Sequence, residues 1–202
     1  MYLIKDFKKL KENLFLILVA AAVGLIVSAV AQLFMIVAKD IFAFFFQNKD
    51  FVLSIDIGIY TLNLIPMLIC IPSSILVALL MYFLKLPRWF GPADTILSAH
   101  QREGLLDLKG GFGSTIASFI SISGGASVGI YGPLVHFGAT ISAFIRRLTF
   151  IPKIPHDIII GSGVAAAISA GFGAPLAGII FAHEIVLRHF SMKAITALAV
   201  SS

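Results

Sequence analysis

The feature that most limits how this chain can fold is the length of its uncharged apolar runs. Residues 13–38 contain no Asp, Glu, Lys or Arg. About 20 apolar residues suffice for a helix to cross ~30 Å of hydrocarbon. With 59% hydrophobic and 12% charged residues, the chain also has too little polar surface to coat a soluble globule. We therefore predict an all-α, polytopic membrane protein with one transmembrane domain over residues 1–202 and room for five or six such segments.

The N-terminal lysines predict an orientation in the membrane. Lys5, Lys8, Lys9 and Lys11 precede the first apolar run, which is far longer than the 7–15 residues of a signal-peptide core. We therefore expect a retained helix over about 14–46, with the N-terminus cytoplasmic. A second span is expected over 57–84. The prediction is an integral, multi-pass protein of the plasma or inner membrane.

Composition argues against several other functions. The basic residues are scattered rather than clustered with aromatics, so no nucleic-acid partner is expected. Cys70 is the lone cysteine, which excludes an intrachain disulfide, and the histidines show no metal-ligand spacing. Residues 125–129 match G-x-S-x-G, but that motif needs a strand-to-helix turn that a membrane span does not provide. We expect no enzyme activity, cofactor or metal.

Beyond residue 88 the apolar segments are interrupted. Residues 89–108 are too short and polar to cross a membrane, so a re-entrant or interfacial helix is predicted. Residues 110–145 and 158–182 are uncharged but broken by Gly and Pro, which favours a pair of helices in each. A further apolar helix begins near Lys193.

Three of these breaks share one pattern, in which a proline follows a small residue where an apolar helix should begin. Proline suits the first helical turn, because its missing N–H would have no partner there. A helix start at mid-membrane would turn free N–H groups and the positive end of its dipole toward an anion. The alternative is that the breaks are packing kinks, and the spacing alone leaves both open. The breaks are Gly91-Pro92, Gly132-Pro133 and Ala174-Pro175.

Residues 173–184 read GAPLAGIIFAHE and resemble a motif of the CLC chloride channel and antiporter family, N-A-P-L-A-G-x-L-F-x-x-E. Residues 129–133, GIYGP, stand where that family carries G-K/R-E-G-P. Residues 89–93, WFGPA, stand in place of its G-S-G-I-P. The resemblance runs from the first span to about Lys193. It implies a broken-helix, inverted-repeat fold of which this chain is the first repeat, and a homodimer with chloride or a similar small anion as substrate.

The resemblance also implies an anion site, and this sequence differs from the family's pattern at several positions. Backbone amides around Ile130, Tyr131 and Gly132 would bind the anion. Tyr131 replaces the family's gating acid, and Ile185 replaces the inner proton-relay acid. Phe90 stands where the family has an anion-binding serine. The implied anion-binding or pore residues are Phe90, Gly91, Pro92, Gly129, Ile130, Tyr131, Gly132 and Pro133.

These departures favour transport without protons, because a phenol is a far weaker acid than a carboxyl group. We therefore predict a passive chloride channel or a proton-uncoupled carrier. The alternatives are a coupled anion exchanger and a non-conducting membrane fragment or scaffold. The chain ends at Ser202 within an apolar helix, which we read as a truncation of a longer protein.

Overall fold

The computed structural model of the chain describes residues 2–47, 53–57, 60–101, 106–149, 155–189 and 191–202. Helices make up nearly all of this part, which confirms the predicted all-α class, and one short β-hairpin is added. The last turns of α7 run on as a π-helical segment, Ala182–Leu187. The elements are α1 Tyr2–Phe46, β1 Ser54–Ile57, β2 Tyr60–Asn63, α2 Ile65–Leu84, α3 Pro92–His100, α4 Leu108–Ser123, α5 Tyr131–Thr149, α6 His156–Phe172, α7 Pro175–Phe181 and α8 Met192–Ser201.

Within the described residues, two helical stretches are long and apolar enough to cross a membrane, Leu10–Phe46 and Ile65–Leu84. The sequence has room for five or six segments of that length, and its later apolar residues are divided among shorter helices. The division between α6 and α7 falls at the predicted break, whereas α5 begins just before the predicted break at Gly132-Pro133. Residues 110–145 hold most of α4 and α5, and residues 158–182 hold most of α6 and all of α7.

The second span begins at Ile65 rather than at residue 57. The strands β1 and β2 pair antiparallel in a hairpin with Ser54 opposite Asn63. Pro66 then lies in the first turn of α2, where a missing N–H costs least, and only Pro72 lies inside the helix. The apolar composition of 57–64 concealed this boundary. Pro66 did not mark it either, because a proline can start a helix as well as interrupt one.

Helix α6 forms the centre of the fold. Every residue from 158 to 169 is buried, and α1, α5, α7 and α8 all pack around it. The crossing of α5 and α6 is close enough that their backbones touch. A Cβ atom on Gly163 would overlap the carbonyl oxygen of Gly138, and one on Gly138 would overlap the carbonyl oxygen of Gly163. Glycine at both positions is therefore what permits this crossing.

Helix α2 lies at the periphery. Past Ile65 none of its side chains is fully buried. It packs against α4, and Cys70 Sγ lies 3.3 Å from the carbonyl oxygen of Gly124 just beyond the end of that helix. Most of the apolar surface of α2 is therefore open to its surroundings.

Candidate anion site

The first turns of α3 and α5 lie side by side. A Cβ atom on Gly132 in α5 would come 3.7 Å from Cγ of Pro92 in α3. About one turn further along both helices, Thr95 Oγ1 and His136 Nδ1 are 2.8 Å apart. Because the two contacts advance in the same direction along each helix, α3 and α5 run parallel. Two of the three predicted helix starts thus meet at one place.

Two adjacent helix N-termini concentrate positive potential, since each carries about half an elementary charge. In α5 the N–H of Leu134 donates to the carbonyl oxygen of Ile130 at 3.2 Å. The N–H groups of Tyr131 and Gly132 precede that bond in the first turn, where no intrahelical acceptor exists, and Pro133 has no N–H. This is the arrangement from which helix N-termini bind anions.

A carboxylate already caps the first turn of α3. The N–H of Gly91 donates to Asp94 Oδ2 at 2.8 Å. Arg88 donates to both carboxylate oxygens, with Nη1 3.1 Å from Oδ2. The hydrogen bond from Arg88 lowers the pKa of Asp94. Partial burial acts in the opposite direction, and the hydrogen bond from the N–H of Gly91 lowers the pKa further. The α3 start thus has its own negative partner, whereas α5 has no acidic residue in its first turn.

We expect Asp94→Asn to remove part of the acid sensitivity of the fold. Because the folded state lowers the pKa of this carboxyl, the stability it contributes is present above the ordinary value of about 4 and is lost as pH falls through the lower folded value. The thermal unfolding midpoint of the wild type in detergent should therefore fall on acidification below about pH 4 more steeply than that of Asp94→Asn. Arg88→Gln, which removes the main cause of the shift, should flatten the curve likewise. Parallel curves for all three proteins would refute the assignment.

Phe90 contributes an aromatic ring where the resemblance implied a serine. Its backbone N–H donates to Ser114 Oγ at 2.8 Å, so that donor is already used within the protein. The guanidinium carbon of Arg88 lies 4.5 Å from the centre of the ring, in cation–π range. The ring therefore holds Arg88 beside the α3 start but offers no hydroxyl to an anion.

Tyr131, at the start of α5, stacks on the last residue of α6. The ring centres of Tyr131 and Phe172 are 3.8 Å apart and the planes differ by 13°. A Cβ on Gly171 would approach Tyr131 Cε1 to 3.4 Å, so the glycine leaves room for the ring. The Tyr131 side chain is 44% exposed. Its ring therefore has one face held by α6 and a substantial surface free.

A cavity of about 500 Å³ lies beside the residues that lead into α5. Gly129 and Ile130 line one side of it, and Lys39 and Asp40 near the end of α1 line the other. Gly129 has a φ of +74°, a conformation that favours glycine, where the chain turns into the helix. The cavity thus reaches Ile130, the residue that directly precedes the first turn of α5.

Ile185 lies on a different element from Tyr131. It belongs to the π-helical segment after α7, and its side chain is 41% exposed. The neighbouring Glu184 is also exposed. Ile185, which the resemblance predicts at the inner proton-relay position, remains a prediction for that role, and its aliphatic side chain does not titrate.

Sequence reasoning overlooked His136, which it treated as one of several scattered histidines. Among the described residues, His136 is the one titratable side chain that is buried, at 2% exposure. Its Nε2 atom has no hydrogen-bond partner there. Leaving a buried polar group without a partner costs about 1–3 kcal/mol. The four-residue spacing from Gly132, which puts both on one helix face, was the available clue.

The profile of the voltage gated chloride channel family matches residues 73–202, so the match leaves out α1, to which the resemblance was expected to extend. The voltage-gated ClC-type chloride channel ClcB of Salmonella typhimurium is 29% identical over 116 residues, covering 57% of this chain and 27% of that protein. The chloride channel protein ClC-Kb of Xenopus laevis is 27% identical over 107 residues, covering 49% and 16%. The chain thus spans less than a third of the length of these relatives.

Proposed function

Because the chain belongs to the voltage gated chloride channel family, we propose that it forms part of a transmembrane pathway for chloride or a similar small anion. The observation that carries this proposal is the side-by-side, parallel arrangement of the α3 and α5 starts, in which Gly132 faces Pro92. The Asp94 carboxylate already caps the α3 end, so the α5 end, which has no acidic residue in its first turn, is the one that favours an anion.

The proposed ligands are the backbone N–H groups around Ile130, Tyr131 and Gly132. Amides supply partial positive charge without a full cation, so an anion can bind and still leave, as conduction requires. The cavity beside Gly129 would give the anion a route toward them, and Lys39 and Asp40, which line it, carry opposite charges. The proposed role of three other residues is to fix where α3 and α5 begin, so that they affect the site through the backbone: Gly91, Pro92 and Pro133.

The proposed gate is the ring of Tyr131. Its stacking on Phe172 holds it over the α5 start, and rotation away from Phe172 would uncover the amides. A phenol can block by its volume, and as a group it is a far weaker acid than a carboxyl group. With Ile185 at the second position, we propose a passive channel or an uncoupled carrier.

Transport by the full-length protein in proteoliposomes tests this function. We expect a chloride gradient to drive chloride efflux, followed with a chloride electrode, without stoichiometric proton movement, followed with a pH electrode. Liposomes without protein give the background. Uphill proton movement driven by chloride would establish coupled exchange instead. The absence of chloride flux would favour the alternative that the chain is a non-conducting membrane fragment or scaffold.

We also propose that the open face of α2 contacts lipid and that the protein works as a homodimer. The support for lipid contact is that the side chains of α2 beyond Ile65 are mostly apolar and at least partly exposed. The dimer rests on the resemblance alone. Cross-linking in liposomes tests it, and a monomer at all protein-to-lipid ratios would exclude it.

A further inference from the structure

We propose that the Nε2–H group of His136 is a side-chain ligand of the bound anion. It would supply the side-chain donor that the site lacks at Phe90. This inference rests on the proposed function and adds to it one residue that neither the motifs nor the helix starts identified.

Burial and hydrogen bonding fix this imidazole. His136 is 2% exposed, and its Nδ1 atom lies 2.8 Å from Thr95 Oγ1, which is itself fully buried. The hydrogen bond holds the ring in one orientation, with Nε2 on the opposite side of the ring from Thr95. Nε2 has no partner among the residues that the structure describes. A fixed and buried polar atom without a protein partner can hold a water molecule or an ion.

The hydrogen-bond inventory favours a proton on Nε2. If Thr95 donates its hydroxyl to Nδ1, the neutral imidazole carries its proton on Nε2, and one N–H remains without an acceptor. In the other tautomer both the hydroxyl hydrogen of Thr95 and the Nε2 lone pair lack partners. The first arrangement leaves fewer groups unsatisfied, and the group that it leaves is a donor.

The position of His136 connects this donor with the helix starts. Gly132 and His136 are four residues apart and therefore share one face of α5. That face meets α3, where Pro92 lies next to Gly132 and Thr95 next to His136. The imidazole thus lies about one turn behind the paired N-termini, of which that of α3 is capped by Asp94 and that of α5 has no acidic residue in its first turn and favours a negatively charged acceptor.

Two variants of His136 separate the two ring nitrogens. Asparagine keeps a polar atom near the position of Nδ1 for Thr95 but has nothing at Nε2, whereas glutamine places an amide N–H near Nε2. With chloride titrated calorimetrically into full-length protein prepared in gluconate, we expect H136N to bind about tenfold more weakly than wild type and H136Q to stay within about twofold. Equal affinity of H136N and wild type, or equal weakening in both variants, would overturn the proposal.

Thr95 provides an independent test if H136N does not fold. Thr95→Val removes the hydroxyl that orients the ring and should weaken chloride binding, while Thr95→Ser keeps the hydroxyl and should not. A folded Thr95→Val protein with wild-type affinity would contradict the inference. If the wild type neither binds nor transports chloride, the proposed function itself fails. If the wild type transports chloride and the variants bind it unchanged, only the role of His136 fails.

Discussion

Replacing Gly163 with leucine should leave little folded protein in the membrane. The new side chain would begin where the carbonyl oxygen of Gly138 and the hydroxyl of Ser142 already lie, at the crossing of α5 and α6. A backbone carbonyl cannot turn aside as a side chain can, so the two helices would have to separate. Overpacking a core costs about 1–3 kcal/mol or more, against a total stability of about 5–15 kcal/mol for a typical domain. Fluorescence-detected size-exclusion chromatography should show loss of the monodisperse peak.

The size of the substituent and the site of the glycine provide controls. Gly163→Ala should lower the thermal midpoint but retain some folded protein, because its single methyl group demands a smaller shift. Gly91→Ala should leave the peak unchanged, since nothing lies within 4 Å of a Cβ there and the residue has an extended backbone. Normal folding of Gly163→Leu would mean that α5 and α6 do not contact each other closely at Gly138 and Gly163.

Replacing Tyr131 with alanine should raise chloride flux through the protein by about two- to tenfold. Opening would require the ring to leave Phe172, and a stacked aromatic pair contributes about 0.5–1.5 kcal/mol beyond its burial. Removing that contribution shifts the balance toward the open form by the corresponding factor. The measurement is the initial rate of chloride efflux from proteoliposomes containing equal amounts of each protein.

Two further variants distinguish the ring from the hydroxyl. Tyr131→Phe keeps the stack and should transport at the wild-type rate. Phe172→Ala removes the partner from the other helix and should raise flux much as Tyr131→Ala does. An unchanged rate in Tyr131→Ala would remove this residue from the gate and leave the amides as the remaining element of the proposal.

Local chemistry made most helix boundaries predictable. Pro92 and Pro175 begin α3 and α7, as the preference of proline for the first turn indicates. The predicted start at Gly132-Pro133 is two residues late, because α5 begins at Tyr131. The preference of proline for the first turn also suits Pro66 in α2. The residues before Pro66 are also largely apolar, however, so composition did not mark the boundary. A continuous apolar run shows that a segment avoids water and says little about its backbone.

The meeting of the two helix starts could not be derived from spacing. Pro92 and Gly132 are separated by α4, so their proximity depends on how that helix turns the chain back. The bond between Thr95 and His136 spans 41 residues for the same reason. The sequence did indicate which helix first turns could bind an anion. Their arrangement as a parallel pair, and the burial of a histidine behind them, follow only from tertiary packing.

The complete burial of residues 158–169 in α6 also limits how this segment can change in evolution. A helix that faces lipid on one side accepts many apolar residues there, so its variable positions recur every three or four residues. Helix α6 has no such side, and enlarging any residue forces a neighbour to move. Only exchanges that conserve volume are tolerated in such a core. Its small Gly, Ala and Ser residues should therefore diverge more slowly than the bulkier residues of the exposed helix α2, although they are less hydrophobic.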